Sequence, residues 1–336
     1  MTILRQPTRA GVRDAAAKIT AILPPSPLFV SEINGVPVAF KAESLQPIGA
    51  FKLRGAWHRL TAIDPEARAK GVVAYSSGNH AQGVAWAAKR LGMPALIVMP
   101  SDAPAAKREG TLALGAEVVS YDRMTESREA IAGALAEARG AILVPSFDDP
   151  WVIEGQGSAG IEAAAQMEAM GLGKPARIVI PCGGGGLAAG IALGLPDAAI
   201  VVAEPEGWDD MRRSLEASWI EPVGANPPPT ACDALQTLRV AQLTFDVLSR
   251  RDAIGVAVSE LEIAAAQRWA AERLRIVVEP GGAVALAALL AGKVAVEPGT
   301  LVILSGGNVD RAAYARVLAN EPVEESERPA LSQLES

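Results

Sequence analysis

The residue with the clearest chemical potential in this sequence is a lysine in an apolar setting. Lys52 lies between Phe51 and Leu53, shortly after the turn residues Pro47 and Gly49, at the start of a predicted helix. Burial disfavours the charged ammonium, so such a lysine is a better nucleophile at neutral pH. Its neutral amine can condense with an aldehyde. The alternative is a surface lysine at a helix start, which this segment alone favours.

Two loops that follow predicted strands carry further polar groups. Residues 76–80 read Ser-Ser-Gly-Asn-His at a helix start, where free N–H groups, hydroxyls and an amide could hold a carboxylate or a ring oxygen. Ser305 ends another strand before two glycines, where its hydroxyl could reach a flat ring edge-on. A common helix cap and an ordinary glycine turn are the respective alternatives.

A third loop contains four consecutive glycines, Gly183 to Gly186. Such a run costs chain entropy unless the backbone must approach a ligand or adopt positive φ, and its N–H groups at a helix start suit a phosphate. No Lys-Ser/Thr follows, so this is not a Walker loop. Glu204 ends the next strand about 20 residues on, so a dinucleotide fingerprint remains the rival interpretation.

Alternating strand and helix patterns must position these loops. Predicted strands at 72–75, 95–99, 117–121 and 141–145 alternate with helices, and a second alternating block begins with a helix near 161–170. Such alternation predicts parallel sheets with helices on both faces. We therefore expect an α/β fold with two doubly wound, open-sheet domains and an active site in the cleft between them.

Composition and charge restrict the class of protein. The chain has 336 residues, 50% hydrophobic, which is enough for two domains with cores. A formal net charge of -7, without basic runs interleaved with aromatics, argues against nucleic acid or an anionic membrane and favours a small-molecule partner. Cys182 and Cys232 form no disulfide framework, and the N-terminus lacks a signal-peptide core. We expect a cytoplasmic protein.

Together, these groups are what a pyridoxal phosphate enzyme needs. From about Leu23 to about Leu318, the chain resembles the serine/threonine dehydratase and serine racemase family of fold-type II pyridoxal phosphate enzymes, whose fold is tryptophan synthase beta-like. The segments that carry the resemblance are 49–56, 76–82, 154–157, 183–187, 279–283 and 305–310. The resemblance implies a large cofactor-binding domain (1–52 and 148–320) and a small domain (53–147). We expect the glutamate-rich tail, 321–336, to be disordered.

The family resemblance also implies how the cofactor is held. Lys52 would bind pyridoxal 5'-phosphate as a Schiff base and act in catalysis, with Phe51 beside the pyridine ring. Asn79 would contact the ring's phenolic oxygen, and Ser305 the pyridine nitrogen. The phosphate would lie on the four-glycine loop, formed by Gly183, Gly184, Gly185 and Gly186.

Other matching residues bear on the substrate. The resemblance implies that Ser76, Ser77 and His80 help to hold the substrate carboxylate, and that Ser77 can reprotonate the opposite face as in racemase-like members. Arg128 matches a position that can meet a second carboxylate, which would favour a dicarboxylic substrate such as 3-hydroxyaspartate. An exposed helix arginine is an equally supported alternative.

The segment 204–210 resembles the divalent-cation loop of the family. Glu204, the carbonyl of Trp208 and Asp210 would supply hard oxygen ligands suited to Mg²⁺ or Ca²⁺. An acidic surface loop is the alternative.

The expected protein is therefore a homodimeric lyase that dehydrates and deaminates threonine or serine to a 2-oxo acid and ammonia. The alternatives are a 3-hydroxyaspartate dehydratase or a serine racemase and, more remotely, a nicotinamide dinucleotide-binding protein. The residues themselves do not rank the substrates.

Overall fold

A computed structural model describes residues 5–76, 78–103, 105–122 and 124–321. The strands are β1 (Leu28–Ile33), β2 (Val36–Ala42), β3 (Val72–Tyr75), β4 (Ala95–Pro100), β5 (Glu117–Tyr121), β6 (Ile142–Leu143), β7 (Arg177–Pro181), β8 (Ala199–Pro205), β9 (Ile254–Val258) and β10 (Thr300–Leu304). The α-helices are α1 (Arg9–Thr20), α2 (Lys52–Thr61), α3 (Asn79–Leu91), α4 (Ala105–Ala113), α5 (Arg128–Arg139), α6 (Pro150–Ala169), α7 (Gly186–Gly194), α8 (Asp210–Ala217), α9 (Gln242–Arg250), α10 (Glu260–Trp269), α11 (Pro280–Leu290) and α12 (Arg311–Leu318).

The strands form two sheets, which confirms the predicted α/β class. In the described part of the chain, one sheet has the order β1-β2-β10-β7-β8-β9 and the other the order β5-β4-β3-β6. All pairs are parallel except the β1–β2 hairpin. Parallel neighbours need long crossovers, and the intervening helices supply them. Consequently the loops that follow β3, β7 and β10 begin near one cavity.

Apolar helices bury both faces of the larger sheet. Helix α11 is rich in alanine and buried along Gly281 to Leu289, and it packs against β7, β8 and β10. Helices α6 and α7 pack together on the opposite face. Strand β10 is buried at every residue, as expected for a central parallel strand. This enclosed sheet gives the ends of β7 and β10 a fixed position.

The helix that begins with Lys52 links the two sheets. Helix α2 packs against α3, which follows the smaller sheet's β3, and against α6, which covers the larger sheet. Leu53 and Leu60 of α2 belong to the same core as Val152 of α6. The strands of 72–143 lie in one sheet and those of 28–42 and 177–304 in the other, while the proposed domain boundaries stay a prediction.

Helix α6 begins earlier than the sequence pattern indicates. The prediction places a helix near 161–170, but α6 starts at Pro150, capped by the Asp149 carboxylate, which accepts a hydrogen bond from the Val152 N–H at 2.9 Å. The glycines of α6 obscured its helical pattern in the sequence, because they are there to allow close packing between helices. A Cβ on Gly155 would lie 2.5 Å from the Cα of Gly55. The two helices can therefore approach closely only through glycine.

The start of α10 and the C-terminal tail also had sequence predictions. The sequence Ser259-Glu260-Leu261-Glu262 predicts a capping box, and the structure confirms it: the Ser259 N–H donates to Glu262 Oε2, and the Ser259 hydroxyl accepts from the Glu262 N–H. Apart from Glu321, the predicted disordered tail lies outside the described residues. None of the helices within the described ranges is long and apolar enough to cross a membrane.

Candidate active site

One cavity brings together most of the residues singled out from the sequence. It lies where β3, β7 and β10 end and where α2 begins. The predicted residues that line it are Phe51, Lys52, Ser76, Asn79, His80, Arg128, Gly183, Gly184, Gly185, Gly186 and Ser305. Ser77 lies outside the described residues. Glu204, Trp208 and Asp210 do not line the cavity and form a separate site described below.

Lys52 is the first residue of α2, and its amine lies inside the protein. The Nζ atom donates to the carbonyl of Ser146 at 3.0 Å and lies 5.1 Å from the ring centroid of Phe51. Burial lowers the pKa of the Lys52 amine to about 8, although the negative charge of Glu279 acts in the opposite direction. About one tenth of this amine is then neutral at pH 7, far more than for an exposed lysine, which makes it a better nucleophile and base.

The backbone joins the lysine to the loop that contains Ser305. The N–H of Phe51 donates to the carbonyl of Ser305 at 3.1 Å, and the N–H of Gly307 donates to the carbonyl of Gly49 at 2.8 Å. Ser305 is 4% exposed and follows the last residue of β10 directly. These bonds hold the serine and the start of α2 against each other across the cavity floor.

The four-glycine loop is shaped by its neighbours to exclude side chains. A Cβ on Gly184 would lie 2.3 Å from the ring of Phe147. Gly185 has φ +85° and is the N-cap of α7, and a Cβ there would lie 2.7 Å from the side chain of Met211. The exposed N–H groups and the helix N-terminus form a cradle that fits a phosphate. The loop therefore fits the phosphate group of pyridoxal phosphate.

The loop before α3 offers backbone donors rather than a histidine cation. Gly78 is the N-cap of α3 and makes no side-chain cap, so the first N–H groups of the helix are free for a ligand. His80 Nε2 donates to the carbonyl of Val144 at 2.9 Å. Burial and the charge of Lys52 together lower the pKa of His80 to about 3. The backbone N–H of His80, not its ring, is then suited to a carboxylate.

Asn79 is held by two partners, neither of which had a predicted role. Its Nδ2 donates to Glu279 Oε1 at 2.6 Å, and its Oδ1 accepts from Asn308 Nδ2 at 2.8 Å. Glu279 lines the cavity. Glu279 belongs to segment 279–283, which carries the family resemblance, but no role was assigned to it, because a carboxylate directly before Pro280 does not distinguish a helix cap from a site residue.

Arg128 has features of both interpretations left open by the sequence, a substrate-binding arginine and an exposed helix arginine. It begins α5 and lines the cavity, while its side chain is 43% exposed and donates from Nε to Glu129 Oε1 at 2.7 Å. Its guanidinium lies 5.5 Å from the ring centroid of Tyr75. Lys107, which the sequence did not indicate, lines the same cavity and pairs with Asp233. The rim of the cavity thus carries two cationic side chains.

Glu204 and Asp210, here called the acidic pair, are buried at the end of β8 and the start of α8. Glu204 accepts the N–H groups of Met211 and Arg212 at 3.0 and 2.8 Å. Neither carboxylate oxygen of Asp210 has a hydrogen-bond partner among the described residues. Burial raises the pKa of Glu204 well above its usual range and that of Asp210 to about 7. An acidic surface loop is excluded for these two residues, because both are 0% exposed.

Two buried carboxyl groups, one of which has both oxygens without a partner, fit a divalent cation chemically. Trp208, the third predicted ligand, lies in the turn between them, and its indole N–H donates to the carbonyl of Pro228 at 2.8 Å. Within the described ranges, no group of three or more His, Cys, Asp or Glu side chains could hold a metal ion. The backbone carbonyl is therefore an essential part of the predicted set.

Comparisons with known proteins agree with this site. A family model described as "Pyridoxal-phosphate dependent enzyme" matches residues 19–306. An L-threo-3-hydroxyaspartate ammonia-lyase from Saccharomyces cerevisiae is 38% identical over 94% of this chain and 97% of its own length. A serine racemase from Schizosaccharomyces pombe is 36% identical over 93% of this chain and 98% of its own length.

The solved structures extend this agreement to the fold. The crystal structure of a threonine deaminase from T.th. has a TM-score of 0.83 at 41% identity and covers 90% of this chain and 99% of that chain.

The acidic end of β8 does not form a nicotinamide site, because Glu204 binds the α8 backbone in the interior. The chain belongs to the pyridoxal-phosphate dependent enzymes of fold type II.

Proposed function

We propose that this protein is an ammonia-lyase that removes water and then ammonia from a 3-hydroxy amino acid, with pyridoxal phosphate on Lys52. The predicted class of enzyme and reaction is confirmed by the relatives, which include ammonia-lyases for hydroxyaspartate and threonine. The observation that carries the assignment is the partly neutral amine of Lys52, which shares one cavity with the four-glycine loop and Ser305. The 2-oxo acid keeps the carbon skeleton of the substrate.

Each cavity group has a proposed part in binding. The N–H groups of Gly183 to Gly186 bind the phosphate, and the ring packs beside Phe51. Ser305 bonds the pyridine nitrogen, and Asn79 bonds the phenolic oxygen. The N–H groups at the start of α3, together with Ser76, bind the substrate carboxylate. Donors fixed by a helix start cost little to organise when an anion binds.

Lys52 carries the proton transfers in this proposal. When bound, pyridoxal phosphate supplies the electron sink that acidifies the α-C–H bond of an amino acid. The Lys52 Nζ atom accepts the α-proton, because its pKa of about 8 leaves it partly neutral near pH 7. The carbonyl of Ser146 keeps Nζ in the cavity between proton transfers. Loss of the β-hydroxyl as water, and hydrolysis by one water, then leave a 2-oxo acid and ammonia.

Among the possible substrates, the charges at the cavity rim favour 3-hydroxyaspartate. Arg128 and Lys107 both line the cavity, and a second carboxylate could take the place of Glu129 and Asp233 as their partner there. Two relatives that match nearly the full chain are named L-threo-3-hydroxyaspartate ammonia-lyases. Threonine and serine have no second carboxylate and are the other candidates. Their support is the similarity to threonine ammonia-lyases at up to 41% identity.

The test is ammonia and 2-oxo acid release from L-threo-3-hydroxyaspartate, L-threonine and L-serine by wild type and by Arg128→Ala. We expect Arg128→Ala to lower kcat/KM for hydroxyaspartate about tenfold to a hundredfold, since a charge-assisted pair contributes about 1.5–3 kcal/mol. Activity on L-threonine should change about threefold or less. Arg139→Ala is the matched control, because Arg139 ends the same helix and pairs with Glu117 on the surface.

An equal loss on both substrates would contradict a role for Arg128 in selecting a second carboxylate. Release of ammonia from none of the three amino acids would contradict the proposed function. The enantiomer of remaining serine, measured in the same reactions, tests racemisation, for which Ser77 stays a prediction. The homodimer and the cytoplasmic location also stay predictions.

We further propose that the acidic pair and the Trp208 carbonyl bind Mg²⁺ or Ca²⁺. The unpartnered oxygens of Asp210 support this assignment. The site lies next to the phosphate loop, because Met211 donates its N–H to Glu204 and packs against Gly185. A cation there would hold the start of α8 and thereby the four-glycine loop. Its role is structural in this proposal, since the acidic pair does not line the cavity.

A further inference from the structure

Glu279 is a buried carboxyl in the cavity wall for which the proposed function has no task. It is 3% exposed and is the N-cap of α11, but its side chain makes no cap hydrogen bond. Its Oε1 atom instead accepts from Asn79, and its Oε2 atom has no hydrogen-bond partner among the described residues. A buried oxygen without a partner is costly, so this arrangement needs a reason.

The hydrogen bonds around Asn79 fix which way its amide faces. Asn308 Nδ2 donates both to the carbonyl of Ile48 at 2.9 Å and to Asn79 Oδ1 at 2.8 Å. Both hydrogens of that amide are then used, so the oxygen of Asn79 must face Asn308. Asn79 Nδ2 consequently faces Glu279 and spends one of its two hydrogens there. The other hydrogen remains available to a ligand in the cavity.

The backbone near Glu279 is built to admit this contact. The N–H of Glu279 donates to the carbonyl of Gly306 at 2.9 Å. A Cβ on Gly306 would lie 2.0 Å from Glu279 Oε1 and 3.2 Å from Asn79 Nδ2. Any side chain at position 306 would therefore break the bond between the carboxyl and the amide. The glycine next to Ser305 thus serves Glu279 as well as the ring-binding serine.

The charges that face Glu279 come from several elements. Burial and the negative charge of Asp233 together raise the pKa of Glu279 to about 7, against the opposing effects of Lys107, the Asn79 bond and the nearby N–H of Asn308. Lys52 of α2 and the buried thiol of Cys232 also face this carboxyl. A neutral carboxylic acid still accepts from Asn79 at Oε1, so the observed bond does not require the ionised form.

We propose that Glu279 is a positioning residue that, as a neutral carboxylic acid, aims the free N–H of Asn79 at the phenolic oxygen of the cofactor. This inference rests on the proposed function, because it assumes that pyridoxal phosphate occupies the cavity. A carboxylate would place a second negative charge near that oxygen and would favour the ammonium form of Lys52. The neutral acid avoids both effects.

The test measures cofactor affinity of the full chain and the absorbance of the bound cofactor from pH 5.5 to 8.5. We expect Glu279→Ala to weaken pyridoxal phosphate binding about tenfold, because the Asn79 donor loses its buried partner. Glu279→Gln keeps an acceptor and cannot ionise, so its affinity should stay within about threefold of wild type. The wild-type absorbance should show a transition near pH 7 that Glu279→Gln lacks.

A double-mutant cycle separates positioning from a merely structural role. In an Asn79→Ala background, Glu279→Ala should cost less than about threefold in cofactor affinity, because the residue it positions is gone. An undiminished tenfold cost would overturn the proposal, as would a Glu279→Gln variant that binds as weakly as Glu279→Ala. If Glu279→Ala does not fold, the cofactor affinity and the pH profile of absorbance of Glu279→Gln test the proposal instead.

The same measurements distinguish this inference from the proposed function. If wild type binds the cofactor with the expected cycle but releases no ammonia from any hydroxy amino acid, the function fails and the role of Glu279 stands. If ammonia is released and Glu279→Ala binds the cofactor like wild type, the role of Glu279 fails and the function stands.

Discussion

Two buried groups of charged residues differ in how their charges are balanced. The balanced cluster consists of Lys41, Glu43, Arg54 and Glu162, with two cations and two carboxylates. Arg54 donates to Glu43 at 2.7 and 2.8 Å and to Glu162 at 2.8 Å, while Lys41 donates to Glu162 at 2.6 Å. The acidic pair has two carboxyl groups, and its hydrogen bonds come from backbone N–H groups at Glu204.

The difference shows in how burial affects the charged forms. Burial alone would lower the pKa of Arg54, but Glu43 and Glu162 outweigh it and the pKa rises. Burial alone would raise the pKa of Glu162, but Arg54 and Lys41 outweigh it and the pKa falls. In the acidic pair, burial raises the pKa of both carboxyl groups. The balanced cluster contains its own opposite charges, whereas the partner proposed for the acidic pair is a divalent cation from outside the chain.

The largest expected loss of stability comes from removing Arg54 from the balanced cluster. Arg54→Met leaves Glu43 and Glu162 buried without their shared partner, and such a change typically costs about 3–5 kcal/mol of unfolding free energy. Urea unfolding of the full chain measures this cost. The surface pair between Arg139 and Glu117 supplies the control, since Arg139→Ala should cost at most about 1 kcal/mol. Equal costs for the two variants would show that the cluster contributes no more than an exposed pair.

Much of the candidate site followed from local patterns. The four-glycine loop, Asn79 and Ser305 follow strand ends, and alternating strand and helix patterns show where strands end, while the roles of these residues and of Lys52 came from the family resemblance. Partners far apart in the chain could not be predicted in this way. Asn79 and Glu279 are 200 residues apart, and Arg54 meets Glu162 across 108 residues. Such pairs depend on how the helices pack, which periodicity does not determine.

Local patterns also failed where a residue type serves packing instead of its usual role. Gly155 lies inside α6 and reads as a loop residue, yet it allows contact with Gly55. Strand β1 was missed because it is an edge strand with exposed and partly buried residues, which gives a weak alternation. The acidic loop read equally well as a surface turn, because burial of Asp210 depends on the packing of α8 against β9.

The next largest expected effect is the gain in stability when the acidic pair binds a cation. Mg²⁺ or Ca²⁺ should stabilise wild type by about 2.7 kcal/mol at a free concentration of 100 times its Kd, because the folded site binds it and the unfolded chain does not. Asp210→Asn should remove most of this gain, while Arg139→Ala should keep it. Thermal unfolding with and without a chelator measures both. A cation effect that survives Asp210→Asn would place the binding site elsewhere.

The smallest effect, per pH unit, is the pH dependence of stability without a cation. The folded pKa of Asp210 is about 7, and its unfolded value is about 3.9. Between these values the folded state holds a proton that the unfolded state has lost. The unfolding free energy therefore falls as pH rises from about 4 to about 7, by at most about 1.4 kcal/mol per pH unit for this group.

Asp210→Asn removes this contribution, because an amide does not titrate, and it also removes the charge that helps to raise the pKa of Glu204. We expect the stability of Asp210→Asn relative to wild type, measured by urea unfolding in a chelator, to increase from pH 4 to pH 7 and then level off. In saturating Mg²⁺ the stability difference between Asp210→Asn and wild type should no longer increase with pH, since a bound cation keeps the wild-type carboxylate ionised. Arg54→Met, which alters the balanced cluster, should leave this pH-dependent difference unchanged. A flat difference across this pH range would mean that Asp210 is ionised in the folded protein without a metal, and the contrast between the two clusters would then disappear.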